Sequence, residues 1–112
     1  MRRALLAAIL GLVAVPSAAA NAAAPARLLI EAREFNLVLS RPSVKAGGAI
    51  VQLVNRGEDP HDLRIGRRGS ISETLPGEVG EWTGRLRRGR YRLWCTLEGH
   101  RALGMRATLR VR

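Results

Sequence analysis

From Leu28 onward, apolar and polar residues alternate or cluster in short runs, and no stretch holds a 3.6-residue apolar period for three turns. The runs are Leu28–Phe35, Asn36–Ser40, Ala49–Asn55, His61–Gly66, Glu78–Leu86, Arg90–Cys95 and Met105–Arg112. Turn-forming residues separate most of them: Arg41-Pro42, Gly47-Gly48, Asn55-Arg56-Gly57, Gly66 to Gly69, Pro76-Gly77 and Arg88-Gly89. This pattern predicts an all-β domain, a Greek-key β-sandwich of about seven to eight strands. Period-two geometry then assigns faces. Tyr91, Leu93 and Cys95 point one way, with Arg90, Arg92 and Trp94 opposite. Met105, Ala107, Leu109 and Val111 form a second inward row, and His61, Leu63 and Ile65 a third, because a one-residue slip would bury arginines. Cys95, Met105 and His61 each stand at the end of such a row.

The first twenty residues follow a different rule. Met1-Arg2-Arg3 is a short basic stretch, Ala4 to Val15 is an apolar run of twelve, and Pro16-Ser17 breaks it ahead of Ala18-Ala19-Ala20. Twelve helical residues span roughly 18 Å against a hydrocarbon core of about 30 Å. The segment therefore reads as a secretory signal, residues 1–20, with cleavage after Ala20 and a mature domain over residues 21–112. Export is the expected localisation, into the periplasm if the cell is Gram-negative. With one Cys in the chain, no internal disulfide can form.

The 112 residues are enough for one domain and carry 19 Lys+Arg against 9 Asp+Glu, and Lys45 is the only lysine among them. Removing residues 1–20 leaves a formal charge of +8. An exported chain meets little nucleic acid, so none is expected as a partner. The excess of arginine reads as a solvated surface, or as attraction to an acidic protein or to anionic membrane lipid.

The chemistry concentrates in Cys95-Thr96-Leu97-Glu98-Gly99-His100-Arg101-Ala102-Leu103-Gly104-Met105, a C-x4-H-x4-M segment joining two predicted strands. His61 supplies a second imidazole at another strand start. A strand-end Cys is ordinarily a small buried hydrophobe, and a lone Met or His has an equally plain reading. Here, however, the only Cys, both His and the only Met after Met1 fall on one pattern. One thiolate, two imidazoles and a weak axial thioether are the donor set of a mononuclear copper site. Zinc would make little use of the thioether.

These residues resemble the cupredoxins, the blue copper proteins of the plastocyanin, azurin and pseudoazurin kind. Gly89-Arg90-Tyr91-Arg92-Leu93-Trp94-Cys95 is similar to the family's Cys-bearing strand, and Asn55 through Gly57 and Pro60 to His61-Asp62 is similar to the loop that delivers its first histidine. The resemblance implies a single type 1 copper ion with His61, Cys95 and His100 as equatorial ligands and Met105 as the axial one. Asp62 stands where many relatives carry Asn, with Thr96 as its implied partner in tying the two ligand loops together. It also implies a one-electron carrier that works with redox proteins, as a monomer, with Ala102 and Leu103 as an apolar docking patch beside His100. A periplasmic copper storage or delivery protein and a basic binding module without metal are the alternatives. No enzyme is expected: the neighbours of Cys95 are Trp94 and Thr96, and two histidines cannot build a second copper centre.

Overall fold

The computed structural model describes residue 1, residues 3–15 and residues 23–112. The expected cleavage point after Ala20 lies outside the described residues. Residues 3–15 have no regular structure and are exposed along their length. Among the described residues, no helix is long and apolar enough to cross a membrane.

Nine strands follow: β1 (Ala26–Arg33), β2 (Asn36–Leu39), β3 (Ser43–Val44), β4 (Gly47–Asn55), β5 (His61–Ile65), β6 (Gly69–Thr74), β7 (Val79–Leu86), β8 (Gly89–Trp94) and β9 (Arg106–Val111). A single helical turn, α1 (His100–Leu103), precedes β9. One sheet runs β2-β1-β4-β7 and the other β3-β9-β8-β5-β6. Both are mixed: β1 pairs parallel to β4 and β3 parallel to β9, while the other neighbours are antiparallel.

Alternation builds the core. In β4 every second residue from Ala49 to Asn55 is buried, and in β5 His61, Leu63 and Ile65 are. Leu28, Ile30 and Ala32 of β1 and Val51 and Leu53 of β4 pack in one cluster with Leu63, Ile65, Leu93 and Leu109 of the other sheet. Cys95 and Met105 belong to that cluster and are 0% exposed. The alternating face assignments for β5, β8 and β9 match this burial pattern.

The pattern misses two strands and one break. β3 has only two residues, too few to show a period. β6 carries a single large apolar residue, Ile71, and its ladder with β5 shifts register between His61 and Leu63, so its buried positions, Ile71 and Thr74, are not two apart. The run Leu28–Phe35 ends sooner than its composition suggests, because Glu34 and Phe35 form the turn into β2.

At the open edge Trp82 of β7 lies across Gly69 of β6. A Cβ on Gly69 would stand 2.2 Å from the indole nitrogen, whereas one on Gly48 would meet only Pro25 at 3.6 Å. Gly69→Ala should therefore displace the indole and lower unfolding stability by about 1–3 kcal/mol. Gly48→Ala should be neutral or stabilising, by about 0.4–1 kcal/mol through the unfolded chain. Denaturant titration of the two variants checks the contrast.

Candidate metal centre

His61 opens β5 after a loop that its own strand partners hold in place. Asn55, buried at the end of β4, donates through Nδ2 to the carbonyls of Asp59 at 2.7 Å and Thr74 at 2.8 Å. Its Oδ1 accepts the Gly57 amide at 2.8 Å. The Arg56–Pro60 turn is thus fixed by one amide side chain, and His61 leaves it in a set direction.

Glu34 supplies a second anchor. From the β1–β2 turn its carboxylate accepts the amides of Asp59 at 2.8 Å and Glu58 at 3.0 Å, and His61 Nε2 lies 2.8 Å away. Gly57 leaves the room: a Cβ there would stand 2.3 Å from Glu34 Oε1. The Asp59 amide, with those of Glu58 and His61 Nε2, holds the Glu34 carboxyl down to about 2. An ionised carboxylate only accepts, so His61 Nε2 donates to Glu34 and Nδ1 is the nitrogen turned toward the site. The local pattern gives no sign of this role, since Glu34 sits inside what reads as a continuous strand.

Cys95 follows β8 directly, and its amide donates to the Met105 carbonyl at 3.1 Å. The Met105 amide donates in turn to the His100 carbonyl at 3.1 Å, so the intervening loop closes on itself. Glycines permit the closure: Gly99 and Gly104 flank α1 with φ of 78° and 125°, conformations in which side chains are strained. A Cβ on Gly104 would also meet the Phe35 carbonyl oxygen at 2.8 Å. The Phe35 ring packs edge-on against the half-buried His100 imidazole, with centroids 5.1 Å apart. Asp62 bridges the two segments, accepting the Thr96 amide at 2.6 Å on Oδ1 and the Thr96 hydroxyl on Oδ2.

These supports bring three donor atoms together. His61 Nδ1 and His100 Nδ1 are 3.2 Å apart, Cys95 Sγ and His100 Nδ1 are 3.6 Å apart, and all three lie within 4.8 Å of one another. A common ion with metal–nitrogen bonds of about 2.0 Å and a metal–sulfur bond of about 2.3 Å sets its donors about 3.2–3.7 Å apart at bond angles of 105–120°. The group fits a single type 1 copper ion. Burial pushes the Cys95 thiol up, so the thiol stays protonated until a metal displaces the proton. Met105 is fully buried next in line, tied to both Cys95 and His100 through its main chain. Ala102 and Leu103 lie exposed on α1, with Leu103 at 62%.

No protein family and no curated protein matches this sequence. Solved structures do. An auracyanin from the photosynthetic bacterium Roseiflexus castenholzii, in its dithionite-reduced state, superimposes with a TM-score of 0.66 at 18% identity, covering 80% of this chain and 99% of its own. The chain has the cupredoxin fold. Auracyanin A, a blue copper protein from Chloroflexus aurantiacus, superimposes with a TM-score of 0.63 at 15% identity over 80% of this chain and all of its own. Auracyanin B gives 0.61 at 20% identity over 81% and 92%.

Within this cupredoxin frame, the Glu34 anchor has a stability signature. A carboxyl held at about 2 when folded and near 4.5 when unfolded stabilises fully above pH 4.5, and that contribution is lost as pH falls toward 2. Acid titration of unfolding stability in the metal-free protein should show this loss, and Glu34→Gln should flatten it.

Proposed function

We propose that this chain is an exported carrier of single electrons, built on one type 1 copper ion. His61, Cys95 and His100 are its equatorial ligands and Met105 its weak axial one. The observation that carries the reading is that His100 Nδ1 stands at metal-binding separations from both His61 Nδ1 and Cys95 Sγ, with the three residues' donor atoms all within 4.8 Å of one another, in a frame fixed from several sides. A bound copper supplies the one-electron couple. The protein's part is to keep the donors still: Asn55 and Glu34 hold the His61 loop, Asp62 ties it to Thr96, and paired amides close the Cys95-to-Met105 segment. Donors that do not move between oxidation states make electron exchange fast. The relation to a dithionite-reduced auracyanin and a blue copper protein supports this chemistry.

An enzyme is less well served. Both histidines converge on the one site, and Cys95 is buried with its thiol protonated rather than poised as a nucleophile. The partner is a redox protein, meeting a monomeric carrier at the His100 edge over Ala102 and Leu103. Residues 1–20 act as a signal, supported by the exposure of Leu5, Leu6, Ile9, Leu10 and Val13, which contribute nothing to the core. N-terminal sequencing of the exported protein should read Asn21 first. Periplasmic residence follows in a Gram-negative cell.

One equivalent of Cu(II) should give an intense visible thiolate-to-copper band, bleached reversibly by ascorbate and absent in Cys95→Ser. Met105→Leu should keep the colour and raise the reduction potential, because loss of the axial donor disfavours Cu(II) most. No band, or a band that survives Cys95→Ser, overturns the assignment. Rapid loss of Cu(I) to a chelator during redox cycling would make the protein a copper-delivery module instead.

A further inference from the structure

The outer face of the five-stranded sheet is lined with arginines that have no counter-charge. Register places Arg90 of β8 directly opposite Arg110 of β9, and Trp94 of β8 opposite Arg106 of β9. Arg90, Arg92, Arg106 and Arg110 are all exposed. Among the described residues the ion pairs are Arg56–Glu31 and His61–Glu34, so none of these arginines has a carboxylate within reach. Like charges set directly across an antiparallel pair weaken a sheet. A face that accepts this without pairing any of them is arranged for a charge that comes from outside.

The face also has a recess. Arg92, Trp94, Arg101, Arg106 and Thr108 line a hollow of about 320 Å³. Arg101, from the loop that carries His100, stacks its guanidinium 4.6 Å from the centroid of the Trp94 ring. Stacking fixes the plane of that group and leaves its N–H edge free for a planar acceptor. Arg68 and Arg85 take no part in this hollow: Arg68 Nε donates to the Arg85 carbonyl at 2.6 Å.

We infer that this recess is a docking site for an acidic protein segment, whose Asp or Glu carboxylates enter between Arg92, Arg101 and Arg106 and pack against Trp94. Guanidinium forks match carboxylates in geometry as well as charge. A bilayer is the poorer occupant. Of the large exposed apolar side chains of the folded part, Val38, Leu75 and Val79 lie elsewhere and Leu103 stands alone on α1, so β8 and β9 themselves offer nothing of this kind to insert. The recess adjoins Ala102, which lines a neighbouring hollow with Trp94, Arg101 and Arg106, but none of its arginines belongs to the donor cluster, so its existence does not depend on the copper assignment.

The test titrates the full, isotope-labelled chain with hexaglutamate and follows the Trp94 indole N–H and the Arg92 and Arg106 amides by NMR. These resonances should move saturably and lose the effect as salt rises from about 0.01 to 0.1 M. Arg92→Glu with Arg106→Glu should weaken binding about tenfold. The same charge change on the opposite sheet, Arg27→Glu with Arg33→Glu, should weaken it less than about twofold. Arg92→Gln with Arg106→Gln gives an intermediate loss and serves if the reversed pair does not fold. Equal weakening by both reversed pairs, unmoved Trp94, or binding to phosphatidylglycerol vesicles without binding to hexaglutamate overturns the inference.

Discussion

The site depends on where one ladder stops. β5 and β8 pair through Ile65–Leu93 and Arg64–Trp94, and beyond that point the Asp62 carboxylate, not a backbone carbonyl, takes the Thr96 amide. Had main-chain pairing continued, the strands would have closed to the usual spacing of about 4.8 Å. The side-chain bridge holds the two segments in register while they diverge, and the donor atoms of His61, Cys95 and His100 face one another in the gap. The remaining supports are secondary to that opening. Asn55 sets the loop's path into it, Glu34 fixes which nitrogen of His61 faces it, and the Cys95–Met105 amide bond closes its far side.

Much of this was legible because both signals involved are local. Alternation marks strands that bury one face, so β4, β5, β8 and β9 could be read with their inward rows, and those rows end on His61, Cys95 and Met105. The C-x4-H-x4-M spacing marks one short loop joining two of those rows. What escaped was whatever depends on contacts far apart in the chain. Glu34 reaches His61 across 27 residues from inside an apolar-looking run, and no periodicity announces it. β6 pairs by means of its backbone with only Ile71 to show for it, and Trp82 finds its place only because Gly69 and Gly84 lack side chains. The one-turn helix α1 is set by closure between flanking glycines rather than by helical propensity.

Charge and metal chemistry are kept on different surfaces. Of the donors, His61 and Cys95 are buried and His100 is half-buried, while the arginines of β8 and β9 point outward from the same strands. A single period-two sequence therefore serves both purposes: Tyr91, Leu93 and Cys95 build the interior, and Arg90, Arg92 and Trp94 build the exterior. Because Arg101 belongs to the His100 loop yet stacks on Trp94, the two surfaces meet at one residue.

A frame tied at Asn55, Glu34 and Asp62 holds its donors in place before any metal arrives. Crystal structures of the metal-free and copper-loaded protein, compared atom by atom with the copper located by anomalous scattering, test it most directly. One copper ion should be bound by His61 Nδ1, His100 Nδ1 and Cys95 Sγ, with those atoms displaced by less than about 0.5 Å between the two states. Copper bound elsewhere, or a His61 loop or Cys95-to-Met105 segment that refolds around the ion, would contradict it.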